Sequence, residues 1–139
     1  MLFRSSFANG WLRSGVLRLW AGQHDLAIEH LEASLRLSPR ERIGQPLFVM
    51  GMAYFFKHQF DEAAAKLLLA MQDQPGSPPT YSFLAACYAY TGRLDEAHAI
   101  VARLRAITPE AMPSDLPLRN REDRELFLSG LRLAMGETT

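Results

Sequence analysis

Four histidines, a single cysteine and two Asp-Glu pairs are the first residues of this 139-residue chain to test for chemistry. His24, His30, His58 and His98 would serve a metal or a proton transfer, Cys87 a nucleophilic attack, and Asp61-Glu62 and Asp95-Glu96 a divalent cation. Their surroundings argue against each use. The histidines lack metal-ligand spacing, two of them fall in turns, and no acid or nucleophile shares a motif with them, so they read as exposed or capping side chains. Cys87 lies between Ala86 and Tyr88 in a predicted helix, where nothing lowers a thiol pKa, and reads as core. The acid pairs fall where helices begin and suit the positive end of a helix dipole. There is no GxGxxG, P-loop, GxSxG or CxxC. The chain is therefore expected to have no catalytic residue, no metal site and no cofactor, and not to be an enzyme in its own right.

Composition narrows the remaining classes. Fifteen basic and fifteen acidic residues give zero formal charge, so no overall field gathers nucleic acid or an anionic membrane. With 48% apolar residues the chain is long enough to bury one core, and no composition shift marks a second domain. One cysteine cannot form an internal disulfide, which fits a reducing cytoplasm. Arg4, Arg13 and Arg18 come before any acid, but Arg13 and Arg18 break the apolar stretches, leaving neither a signal-peptide core nor a membrane span. The expectation is mature, soluble, cytoplasmic chain.

The elements follow from a repetition. Ala27, Ala63 and Ala97 each follow an Asp-x pair, stand four residues before Leu31, Leu67 and Val101, and precede Pro39, Pro75 and Pro109 by twelve. From Ala27 to Ala63 is 36 positions and from Ala63 to Ala97 is 34. In the first half of each unit Trp11, Ser14, Gly15 and Arg18 align with Leu47, Met50, Gly51 and Tyr54, then with Tyr81, Leu84, Ala85 and Tyr88, offsets that share one helical face. Gly15, Gly51 and Ala85 are small enough for a partner helix to come close. The second half supplies that partner through Ala27, Leu31 and Ser34 and their counterparts. Between the halves lie turns beginning at Gly22, His58 and Gly92, after which Asp25, Asp61 and Asp95 are expected to accept the free N–H groups of the second helix. The prolines end it.

These offsets resemble the tetratricopeptide repeat, a helix-turn-helix of about 34 residues. The residues carrying the resemblance are Trp11, Gly15, Ala27 and Pro39 in the first unit, Gly51, Tyr54, Ala63 and Pro75 in the second, and Leu84, Tyr88, Ala97 and Pro109 in the third. Ser14 and Arg18 depart from the pattern and weaken the first helix, and two extra residues fall near 40–44, in a loop. The expected fold is an all-α helical solenoid, a single domain over 1–139. Its three helix-turn-helix units lie at about 8–41, 44–77 and 78–111. Pro113 and Pro117 then set an extended loop before a capping helix at about 120–135. Asn120 is its expected cap, and Leu126, Phe127, Gly130, Leu131 and Ala134 form its apolar stripe. Arg121, Glu122, Asp123 and Arg124 crowd its start, so it reads as a solvating lid for the last unit. Leu2, Phe3, Phe7 and Trp11 have no equivalent lid, as in a fragment of a longer array.

A second stripe on each first helix is the candidate partner-binding groove: Leu12, Val16, Leu19 and Trp20, then Phe48, Met52, Phe55 and Phe56, then Ser82, Ala86, Ala89 and Tyr90. By the geometry of the family these face the concave side. Some belong to packing between units, but the aromatic surface as a whole calls for a cover. The family's clamp of lysine and asparagine, which holds a peptide carboxylate in chaperone-binding members, is not found. Leu12, Val16, Phe48, Met52, Pro79 and Phe83 occupy the inner positions where its donors would stand. An amphipathic helix or a second copy of the chain suits such walls better, and missing upstream chain is a competing cover. The alternative is an RNA-binding array of the pentatricopeptide type, which needs a basic groove with polar base-reading side chains. Neutral charge and apolar walls speak against it.

Three segments, 25–39 (DLAIEHLEASLRLSP), 92–104 (GRLDEAHAIVARL) and 119–135 (RNREDRELFLSGLRLAM), are similar to the C-terminal repeats of bacterial class III adenylate cyclase-like proteins. That resemblance implies a regulatory or assembly module. No cyclase catalytic segment is present, so no cyclase residue is implied here. The expected partner is a protein or peptide, or a homo-oligomer, with no nucleic acid and no membrane.

Overall fold

The computed structural model describes residues 2–38, 43–108 and 120–136. They form helices α1 (Leu2–Trp20), α2 (His24–Leu37), α3 (Gly44–Phe56), α4 (Phe60–Asp73), α5 (Pro78–Tyr90), α6 (Leu94–Ile107) and α7 (Arg121–Ala134), with no strand among the described residues. Helices α1 to α6 pair as α1 with α2, α3 with α4 and α5 with α6, and each second helix packs on the first helix of the next pair. This is the expected helical solenoid.

The pairs close tightly because of the small residues. A Cβ placed on Gly15 would lie 2.8 Å from Leu31 Cγ and Cδ2, and one on Gly51 2.7 Å from the same atoms of Leu67. Leu31, Leu67, Ala27, Ala63, Ala85 and Ala97 are all fully buried. Gly10 is the contrast, exposed on α1 with nothing within 4 Å of such a Cβ. Gly51→Val is expected to destabilise by about 1–3 kcal/mol through overpacking, and Gly10→Ala to stabilise by about 0.5–1 kcal/mol through helix propensity. Urea denaturation of the two variants checks both signs.

Turn chemistry differs in detail from the sequence expectation. Gly22 and Gly92 take φ of +82° and +78°, and His58 holds the matching place at +62°. The second helices begin one residue before the aspartates, with Gln23, Gln59 and Arg93 at their N-caps and no side-chain cap bond. Asp25, Asp61 and Asp95 therefore face the dipole from inside the first turn rather than capping it. Asp25 instead pairs with Lys57, which lowers its carboxyl below the ordinary carboxylate value. Other polar groups pin the pairs together: Ser34 Oγ donates to the Ala8 carbonyl at 2.8 Å, and Gly44 N–H donates to Asp73 Oδ2 at 2.9 Å. Ser14 and Arg18 are also used, Ser14 Oγ lying 2.7 Å from His30 Nδ1 and Arg18 donating to Gln23 Oε1 at 3.0 Å. Pro39, Pro109, Pro113, Pro117 and residues 40–42 lie outside the described residues.

Cys87 is 1% exposed, and burial pushes its thiol up to about 12. With a raised pKa the thiolate is scarce until the pH nears that value. Alkylation at pH 8 is expected to be on the order of 1000-fold slower in the native protein than in guanidinium, followed as mass gain on this single cysteine.

Rows across the repeats explain where the stack stops. Ile28 and Ala64 are buried, and the next member of their row, His98, is exposed. Leu35 is half-buried and Met71 buried, and their successor Arg105 is exposed. At these two positions the outward face of α6 is polar where α2 and α4 are apolar, although Leu94 on the same helix is exposed. At the other end Leu17 is 68% exposed although its row-mates Ala53 and Cys87 are buried, and Phe7 and Trp11 are exposed as well.

Helix α7 runs from Arg121 to Ala134, and the Asn120 Oδ1 before it accepts from the N–H groups of Glu122 and Asp123, as a cap should. Its place is the departure. It packs chiefly on α5 and only lightly on α6, covering the last unit from the inner side.

Candidate partner-binding groove

The inner row divides into a covered part and an open part. Leu19 and Phe55 are fully buried, and Met52 and Phe56 nearly so, whereas Leu12, Val16, Trp20, Phe48 and Tyr90 are half-buried against the core. Ser82, Ala86 and Ala89 of the third row are buried.

Part of this cover is α7, which packs chiefly on the third unit and reaches the other two through individual side-chain contacts. In the first, Asp123 Oδ2 lies 2.9 Å from His24 Nε2 at the start of α2. In the second, the Phe127 ring stands edge-on to Phe55 with centroids 6.4 Å apart. In the third, Phe127 stacks on Phe83 at 4.2 Å, and Tyr90 Oη donates to the Leu126 carbonyl at 2.6 Å. Gly130 permits the closest approach, since a Cβ there would lie 2.5 Å from Tyr90 Cε2 and 2.9 Å from Ala86 Cβ. Burial raises the Tyr90 phenol above its ordinary value, so it remains a neutral donor.

Phe55 is the hub of this arrangement. Phe56, Phe60, Phe83, Tyr90 and Phe127 surround it with centroids 5.3 to 6.4 Å away, most of them edge-to-face. Arg121, Glu122, Glu125, Leu126 and Ser129 of α7 complete an open pocket with His58 and Tyr90.

Two sequence readings need correction here. His24 is not a bland turn residue: its ring tilts over Phe56 at 5.8 Å and meets Asp123 across 99 residues of chain. Asp123, read as part of a solvating charge cluster, is 5% exposed. Phe55, Phe83 and Tyr90 are covered by downstream chain, the helix α7. Sequence reasoning set Phe127, Gly130 and Leu131 in a stripe but missed what the stripe meets. The available signal was the change at His98 and Arg105, where the rows turn polar at the end of the stack.

The described residues hold no group of three or more His, Cys, Asp or Glu side chains able to share a metal ion. No helix among them is long and apolar enough to cross a membrane.

A stack of helix pairs with an apolar inner row and a helix laid along it defines a helical-repeat scaffold. Residues 57–116 match the family model of the tetratricopeptide repeat, and the chain has the fold of a solved tetratricopeptide array. It is similar to superkiller complex protein 3 of Mus musculus, 33% identical over 90 residues, which are 64% of this chain and 6% of that protein. Among solved structures, the first tetratricopeptide domain of Spaghetti (RPAP3) bound to the HSP90 peptide SRMEEVD superposes with a TM-score of 0.74 at 18% identity, over 95% of this chain and 96% of that one. MamA gives 0.69 at 18% identity, over 93% and 77% of the two chains. YrrB, described as having an unusual peptide-binding site, gives 0.66 at 20% identity, over 95% and 74%. At these identities the structures speak for the fold.

Proposed function

We propose that this chain is a non-catalytic scaffold that binds a protein segment through the concave groove lined by Leu12, Val16, Leu19, Trp20, Phe48, Met52, Phe55, Phe56 and Tyr90. The observation that carries the reading is α7 itself, an amphipathic helix packed on the inner side of the third unit, which also reaches Phe55 of the second and His24 of the first. Two of the similar solved structures are described by their peptide binding, one with an HSP90 peptide. The inner positions of this chain carry Leu12, Val16, Phe48 and Met52 and no carboxylate-holding donors, so the ligand chemistry here is apolar and helical instead. Neutral net charge and the same apolar walls weigh against the RNA reading.

The finer parts of the proposal are a cytoplasmic location, a bacterial source, self-association through the groove, and service as the regulatory C-terminal part of an adenylate cyclase-like protein. The cyclase similarity rests on segments whose buried residues include Ala27, Leu31, Ala97, Leu104, Phe127 and Leu131, and these serve packing.

Panning the full chain against a random peptide library tests the central reading. Amphipathic sequences are expected to be enriched, and Val16→Glu and Phe48→Glu are expected to abolish their binding while the helical circular dichroism is kept. Enrichment of nothing, or binders indifferent to both substitutions, defeats it. Light scattering of the same variants reports self-association through the open part of the row.

A further inference from the structure

We infer that α7 is a displaceable stand-in for the groove's partner, and that the partner is an amphipathic helix copying its register: an aromatic, then glycine three residues on, leucine four on and alanine seven on. This rests on reading the groove as a protein-binding surface, and it names the occupant's chemistry.

The solenoid does not need α7 as an end cap. His98 and Arg105 already give α6 a largely polar outer face, with Leu94 an exposed apolar residue, and Arg103 and Arg93 add cations that lie over the Tyr81 and Tyr88 rings. Helix α7 is also equipped to exist by itself to a degree that α2 to α6 are not. Its distinction is the Asn120 cap, since none of α2 to α6 has a side-chain cap bond; the acidic first turn and basic last turn that α7 also carries are shared by α2 and α6. A segment that keeps helical bias when released is what a two-position element requires.

Recognition is written in the register. Phe127 fills the space between Phe55 and Phe83, Leu131 and Ala134 are buried beside it, and Gly130 sits where Tyr90 and Ala86 admit no side chain. Direction comes from polar contacts at the first half of the helix. An acid in the first turn meets His24 in unit one, and the Tyr90 hydroxyl takes a main-chain carbonyl three residues further on. Because that second contact uses the backbone, any helix in this register offers it. A competing helix therefore needs four apolar positions and one acid, a demand that many sequences can meet in part and few in full.

The test uses a fluorescein-labelled synthetic peptide of residues 119–136 and three full-length proteins: wild type, Phe127→Asp and Gly130→Leu. Each substitution should dislodge α7 and leave the groove residues intact. The peptide is expected to bind both variants at least about tenfold tighter than wild type, whose groove is occupied most of the time. The peptide carrying Gly130→Leu is expected to bind none of them. Hydrogen exchange on the unmodified protein gives a second readout: α7 amides should exchange through local opening, ahead of those in α3 and α5. Exchange of α7 only with global unfolding, loss of the cooperative transition of α1–α6 in both variants, or absence of a tenfold gain overturns the inference. If panned peptides still require Val16 and Phe48 in that event, the binding function stands and only α7's role in it falls.

Discussion

Ala63→Arg is expected to abolish the cooperative thermal transition followed by circular dichroism at 222 nm, while Ala65→Arg, two residues away, leaves it within about 0.5 kcal/mol of wild type. Ala63 is fully buried, and a Cβ on Gly51 would come within 3.5 Å of its carbonyl oxygen, so the two helices of the second unit touch there. Arginine would need its whole side chain's volume at that contact and would carry an unpaired charge into it, together costing several kcal/mol. Against a total stability of about 5–15 kcal/mol for a domain, that removes most of the margin. The middle unit also has no end at which to fray, because α2 packs on one side of it and α5 on the other. Ala65 lies exposed on the same helix and serves as the control for charge and propensity. A wild-type-like midpoint for Ala63→Arg would mean that α3 and α4 do not meet through this alanine.

Phe55→Ala is the second large effect, expected to cost about 3–5 kcal/mol, as truncations of buried aromatics do. Its ring is fully buried and is shared by residues of α3, α4, α5 and α7. The space left is bounded by other aromatic side chains, which are stiff and close over a void poorly. A fall in midpoint of roughly 10–20 °C follows from a cost of that size in a domain of this length. Phe48→Ala, on the half-buried part of the row, should cost distinctly less. Equal losses for the two would place Phe48 as deep in the core as Phe55 and remove the distinction between the covered and open parts of the groove.

The six helices of the stack were legible because each depends on local requirements repeated in register. Gly15 and Gly51 are read from their spacing to Leu31 and Leu67, and the structure brings those pairs to the distances such spacing implies. The helix starts were less legible: an aspartate two places after a glutamine or arginine looks like a cap, yet serves inside the first turn. The position of α7 was the least legible part. An apolar stripe of Phe127, Gly130, Leu131 and Ala134 says that a helix buries one face, and nothing about which surface receives it. The pairing of His24 with Asp123 joins residues 99 apart with no shared motif, so only the folded chain displays it. Buried inner-row residues and half-buried ones carry the same apolar letters, which is why sequence alone could list the row without dividing it.

An array in which every unit touches only its neighbours stores its stability as a sum of local terms, and a disturbance at one end dies away toward the other. Helix α7 changes the arithmetic. By holding His24 of the first unit and Tyr90 of the third at once, it ties the two ends of the row to each other, turning an open series into a ring of dependencies. Whatever occupies that path, α7 or a helix in its place, therefore sets how cooperatively the three units open and close. Occupancy of the groove becomes readable at both ends of the stack, in the sharpness of its unfolding as much as in its midpoint.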